Sequence, residues 1–168
     1  MEQPMTDDLA TLALRTPLGS IRDDVRINRS AADVWAVVGD VGRVADWFPS
    51  FVSSSVVGNQ RHITTKTGIP LVEDILRVDH DQRRFQYSVV PNGAIREHRA
   101  TVDVIALDAG SCLLTYSTDI IPAVLALAFS GGIAEAIENL RVMLESGTIT
   151  AATARTAGTA GTAGTAVA

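Results

Sequence analysis

The chain has 168 residues, enough for one domain with spare ends, and its 46% hydrophobic and 20% charged residues are the balance of a globular protein. A net charge of −5 argues against nucleic acid or an anionic membrane as a partner, since both need basic stripes. With Cys112 as the sole cysteine, a disulfide frame and a Cys-based metal cage are excluded.

The opening stretch "MEQPMTDDLATL" begins acidic and lacks the basic-then-apolar order of a secretory signal, so the expected location is cytoplasmic. Residues 1–20 read as an extension, with a short helix around Leu9 to Leu14. "IRDDVRIN" reads as a first strand. In "SAADVWAVVGD", Ser30 is a natural N-cap, Asp33 suits the first turn, and Val34, Val37 and Val38 recur at helical spacing. A second short helix, "VGRVADWF", stops before Pro49.

Strand-like pieces follow: "FVSSSVVGNQ", "RHITTKTG", "LVEDILRVDHD", "RRFQYSVV", "EHRATVDVIALD" and "SCLLTYSTDI". Turn signals separate them at Gly58-Asn59, Gly68-Ile69-Pro70, Asp79 to Asp81, Pro91-Asn92-Gly93 and Asp108-Ala109-Gly110. The spacing suits antiparallel hairpins. "PAVLALAFSGGIAEAIENLRVMLES" then predicts the dominant helix, with Ile133, Ile137, Leu140 and Leu144 on one face. The longest apolar run, Ile120 to Phe129, is too short to span a bilayer, and no stable membrane insertion is expected. The Thr-Ala-Gly repeats of residues 148–168 cannot bury enough apolar area to offset ordering and read as a disordered tail. The domain is therefore expected at 21–147, of α+β class: a curved antiparallel sheet of about seven strands around the long helix.

"ADVWAVVGDVGRVADWFPSFVSS", the "TGIPL" turn, the "EHRA" segment and the terminal helix together resemble the START-like (SRPBCC) superfamily of helix-grip proteins, whose bacterial members are labelled polyketide cyclase/dehydrase. Within it, the turn and "EHRA" are similar to the gate and latch loops of plant abscisic acid receptors. The resemblance implies a ligand cavity closed by Ile69 and Pro70, with His98 and Arg99 at the latch. It also implies that the receptors' polar anchors fall on Phe48, Leu76 and Thr115, which points to a greasier pocket.

The expected partner is a small hydrophobic molecule: lipid, polyketide or isoprenoid-like. Expected lining residues are Phe48, Phe51, Ile69, Pro70, Leu76, Phe85, Tyr87, Val89, His98, Arg99, Thr115, Ile133 and Ile137. A cyclase or dehydratase is the alternative, with Arg99, Tyr87, His98 and Asp103 as candidate catalytic groups. A module that binds a protein partner is the third reading. Strict alternation turns Val102, Val104 and Ala106 inward and Asp103 outward, whereas a bulge would reverse the phase. His62, His80 and His98 share no metal-ligand spacing, and neither a metal nor a cofactor is expected.

Overall fold

The computed structural model describes residues 17–150. The expected helix near Leu9 and all but the first residues of the Thr-Ala-Gly tail lie outside them. The elements run in the order β1 (Gly19–Ile27), α1 (Ala31–Val38), a 3-10 turn (Val41–Arg43), α2 (Val44–Trp47), β2 (Phe51–Val57), β3 (Gln60–Thr65), β4 (Pro70–Asp79), β5 (Arg84–Val89), β6 (Glu97–Ala106), β7 (Cys112–Ile121) and α3 (Leu125–Ser146). The seven strands form one antiparallel sheet ordered β1-β7-β6-β5-β4-β3-β2. Every neighbour but one is a hairpin partner, as short turns require, and β1 closes the order by pairing with the last strand. This is the helix-grip arrangement, with α3 across the inner face of the sheet.

Local chemistry accounts for the element limits. The Ser30 hydroxyl accepts the Asp33 N–H at 3.2 Å and starts α1. At the far end of the chain, Gly147 adopts φ 78° and ends α3, a left-handed conformation that favours glycine. Arg29 reaches over from the β1–α1 loop and donates to the Leu144 and Glu145 carbonyls at 3.0 and 2.9 Å. The Leu144 carbonyl also accepts the Gly147 N–H at 3.2 Å, so Arg29 adds a side-chain cap to the helix end.

The face of α3 read from its period is the buried one: Ile133, Ala136, Ile137, Leu140 and Leu144 are at most 4% exposed. They pack on Val34, Val37, Phe85, Val102, Val104 and Leu114. Ile149 was expected in the tail, yet it is buried in this core, and its N–H donates to the Met143 carbonyl at 3.2 Å. One apolar side chain just past the glycine turn folds back because the core end has room for it. A second cluster, Val89, Ile95, Ile120 and Ala126, lies under the first turns of α3, with Leu125 and Phe129 against it.

Candidate functional site

Between the two clusters the sheet and helix do not meet. A cavity of about 300 Å³ remains, floored by Phe48 and Phe51, which stack with ring centroids 4.3 Å apart. Leu71, Ile95, Phe129 and Ile133 supply further apolar walls, with Ala128 and Gly132 of α3 above. A lining of this kind suits an apolar guest.

One end of the cavity is polar. Arg61 on β3 and Glu73 on β4 are direct cross-strand partners, and both are at most 3% exposed. Arg61 Nε and Nη2 each lie 2.6 Å from the same carboxylate oxygen, Glu73 Oε2. Arg61 Nη1 donates to the Val41 carbonyl at 3.0 Å, and the guanidinium carbon sits 4.9 Å from the ring centres of both Phe85 and Tyr87. The cation is thus held by an ion pair, a carbonyl and aromatic faces together. Burial pushes the Glu73 carboxyl above its ordinary range while Arg61 pulls it back.

The Tyr87 and Tyr116 hydroxyls hydrogen-bond to each other and line the same cavity as Glu73. Burial raises both phenols, reinforced by the Glu73 charge: Tyr116 to about 12 and Tyr87 well above its usual value. At neutral pH they are therefore protonated hydrogen-bond donors, not bases.

His98 stands beside this group, its ring 5.5 Å from those of Tyr87 and Phe129. Its Nδ1 accepts the Val89 N–H at 3.1 Å, which puts the ring hydrogen of the neutral form on Nε2, an atom with no partner among the described residues. Burial lowers the imidazole to about 4, so it is neutral at physiological pH. That combination is ill-suited to a general base, because the only basic nitrogen is already occupied.

Of the residues expected from sequence, Phe48, Phe51, Tyr87 and Ile133 line the cavity. Phe85, Val89 and Ile137 are buried in the clusters beside it. Several expectations are corrected. Leu76 is 48% exposed, since Leu71, Glu73 and Ile75 face inward and alternation turns it outward; a bulge between Ile75 and Arg77 then makes Val78 the next inward residue. Thr115 lies on the outer face of the sheet, opposite Asp24 and Asp103. Arg99 is exposed on that same face, opposite Asp119.

Asp103 also faces outward, where its carboxylate takes two hydrogen bonds from Arg84 at 2.7 and 2.9 Å. No bulge reverses its strand, and neither Arg99 nor Asp103 can act in the cavity. Ala106, expected inward, is exposed at the end of its strand. Ile69 and Pro70 are exposed and do not line the cavity: the Thr65 hydroxyl and backbone close the turn on Ile69, and Gly68 takes φ 78°. Thr65 and Leu71, at the base of the turn, are the lining residues instead.

The sequence reading missed Arg61, Glu73 and Tyr116. Their signal was there in part: Arg61 alternates with Ile63, and Glu73 with Leu71 and Ile75, so each charge interrupts an apolar face. Only the cross-strand register shows that the two charges meet. Among the described residues, no group of three or more His, Cys, Asp or Glu side chains could hold a metal ion. No helix among them is long and apolar enough to cross a membrane.

The sequence profile of the polyketide cyclase/dehydrase and lipid transport family matches residues 19–145. Among solved structures, norcoclaurine synthase from Thalictrum flavum in complex with dopamine and hydroxybenzaldehyde is similar at a TM-score of 0.62 and 17% identity, over 87% of this chain and 94% of that one. The di-domain ARO/CYC protein BexL is similar at 0.67 and 17% identity, over 77% of this chain and 47% of that one. A START superfamily protein from Mycobacterium smegmatis gives 0.62 and 14%, over 74% and 98%. No curated protein matches. At these identities the structures speak to the fold alone.

Proposed function

We propose, because the chain belongs to the polyketide cyclase/dehydrase and lipid transport family, that it binds a small, mainly apolar molecule between the sheet and the first turns of α3 and acts as its carrier or sensor. The observation that carries this reading is the 300 Å³ cavity, mainly apolar and walled by Phe48, Phe51, Leu71, Phe129 and Ile133. Burying about 300 Å² of ligand surface at roughly 25 cal/mol per Å² yields on the order of 7 kcal/mol gross. Association consumes several kcal/mol of that, so micromolar affinity is expected.

A second reading, a cyclase or dehydratase, draws on the Tyr87–Tyr116–Glu73 end. The one open hydroxyl hydrogen of the tyrosine pair could go to a developing enolate oxygen, and Glu73 is the one carboxylate among the cavity residues. Its weakness is the base: Arg61 neutralises the Glu73 carboxylate in a close ion pair, and the His98 Nδ1 is occupied.

The test is titration with N-phenyl-1-naphthylamine, a neutral fluorescent probe, against wild type and Leu71→Trp, which fills the cavity from β4. Micromolar binding lost at least tenfold in the variant supports the reading. Undiminished binding by a folded Leu71→Trp protein would move the site elsewhere. Native mass spectrometry of the purified protein would then identify what it carries.

A further inference from the structure

Arg61 spends two of its nitrogens on one oxygen of Glu73, and the other oxygen, Oε1, accepts no hydrogen bond from any described residue. Glu73 is 2% exposed, yet it lines the cavity, and Oε1 is not among the buried polar atoms closed off without a partner. The free oxygen therefore has the cavity as its outlook. Water aside, only a guest can satisfy it, and leaving a buried acceptor unmet is unfavourable.

The tyrosine pair has the opposite need. In the Tyr87–Tyr116 hydrogen bond one hydroxyl donates and the other receives, so the receiving hydroxyl still has its own hydrogen to place. Neither hydroxyl has a further partner among the described residues. The Glu73–tyrosine end of a mainly apolar cavity, which Ser50 and Thr65 also line, thus offers one open acceptor and one open donor.

Ligand head groups can be sorted against that pair. A carboxylate accepts but cannot donate, and it would bring a second negative charge beside Glu73 in a poorly solvated site. An ammonium donates but cannot accept, and it would face the Arg61 guanidinium across a single carboxylate. An ether accepts only. A hydroxyl does both. Resting on the cavity reading above, we infer that the guest is a neutral alcohol or phenol with an apolar body, its hydroxyl donating to Glu73 Oε1 and accepting from the tyrosine pair.

Three naphthalene probes of one shape test this: 2-naphthol, 2-methoxynaphthalene and 2-naphthoate, each titrated by calorimetry near neutral pH. Naphthol should bind at least tenfold more tightly than the ether, and naphthoate should be the weakest. Replacing Glu73 alone would strand the Arg61 charge, so the informative variant is Arg61→Met with Glu73→Leu, because a buried pair exchanged for apolar residues of similar size usually folds. In that double variant the ether should bind as well as naphthol. Equal binding of naphthol and ether by wild type would overturn this inference and leave the cavity reading standing. Tightest binding by naphthoate would overturn it as well. A naphthol preference that survives in the double variant would remove Glu73 from the role. If none of the three binds wild type, the cavity reading fails, and this inference with it.

Discussion

The two halves of α3 sit on the same sheet in opposite ways. Its C-terminal half, from Ala136 to Leu144, buries Ala136, Ile137, Leu140 and Leu144 in the main core, while its N-terminal half roofs about 300 Å³. The filled end is also tied down, by Arg29 on the last carbonyls, Gly147 in its left-handed turn and Ile149 folded back. The open end begins at Val124 with no side-chain cap and no acid in the first turn. Gly131 and Gly132 mark the seam between them. A β-carbon at Gly131 would meet nothing within 4 Å, and one at Gly132 would only touch the Phe48 ring at 3.9 Å. Neither glycine is required by close packing or by positive φ, so what remains is their weakening of the helix. Stability and binding are thus assigned to different ends of one element. Well-packed ends hold a fold, and loosely roofed ends admit ligands.

The largest effect that tests this contrast is a truncation at the filled end. Leu140→Ala should cost about 2–5 kcal/mol in urea unfolding, because Leu140 is fully buried and its neighbours cannot collapse into the gap. A loss under 1 kcal/mol would show that the two ends are equally loose.

Next in size is a pH effect at the open end. The His98 imidazole is lowered from 6.5 to about 4, so between those values the unfolded chain binds a proton that the native protein does not. The contribution is complete above pH 6.5 and is lost as pH falls through that window, by about 3 kcal/mol at 1.36 kcal/mol per unit. Glu73, raised by burial, works in the opposite sense, so the measurement is the difference between wild type and His98→Gln. Wild type should lose more stability than the variant between pH 7 and pH 4. Equal slopes would mean that His98 is solvated.

At the seam, Gly131→Ala should raise stability by about 1 kcal/mol, since alanine restores helix propensity where there is space for its methyl group. Destabilisation instead would give the glycine a packing role. The smallest effect is expected at the turn that resembles a gate. Ile69→Ser should change stability by less than about 0.5 kcal/mol and leave the affinity for a neutral apolar probe unchanged, because Ile69 is 62% exposed and away from the lining. A tenfold loss of affinity would mean that the turn closes over bound ligand.

The element order was legible in the sequence because its determinants are local. Ser30 caps a helix, glycine and proline clusters separate strands, and Ile133, Ile137, Leu140 and Leu144 keep a helical period. Each of these depends on residues within a few positions of one another. The aromatic floor was legible for the same reason, since Phe48 and Phe51 are close in the chain and stack directly.

The polar end of the cavity was a matter for tertiary structure. Counting along the chain put an anchor position on Leu76, but Glu73 and Ile75 take the inner face, which turns Leu76 outward and leaves Glu73 as the buried acid. Arg61, Glu73, Tyr87 and Tyr116 come from β3, β4, β5 and β7, and only strand order, register and the curvature of the sheet bring them together. Asp103 and Arg99 carry suitable chemistry on a suitable strand, yet one residue of alternation turns each away from the cavity. Local preference sets what each segment becomes. Which side chains share a site depends on register, where a shift of one residue exchanges the inner face for the outer.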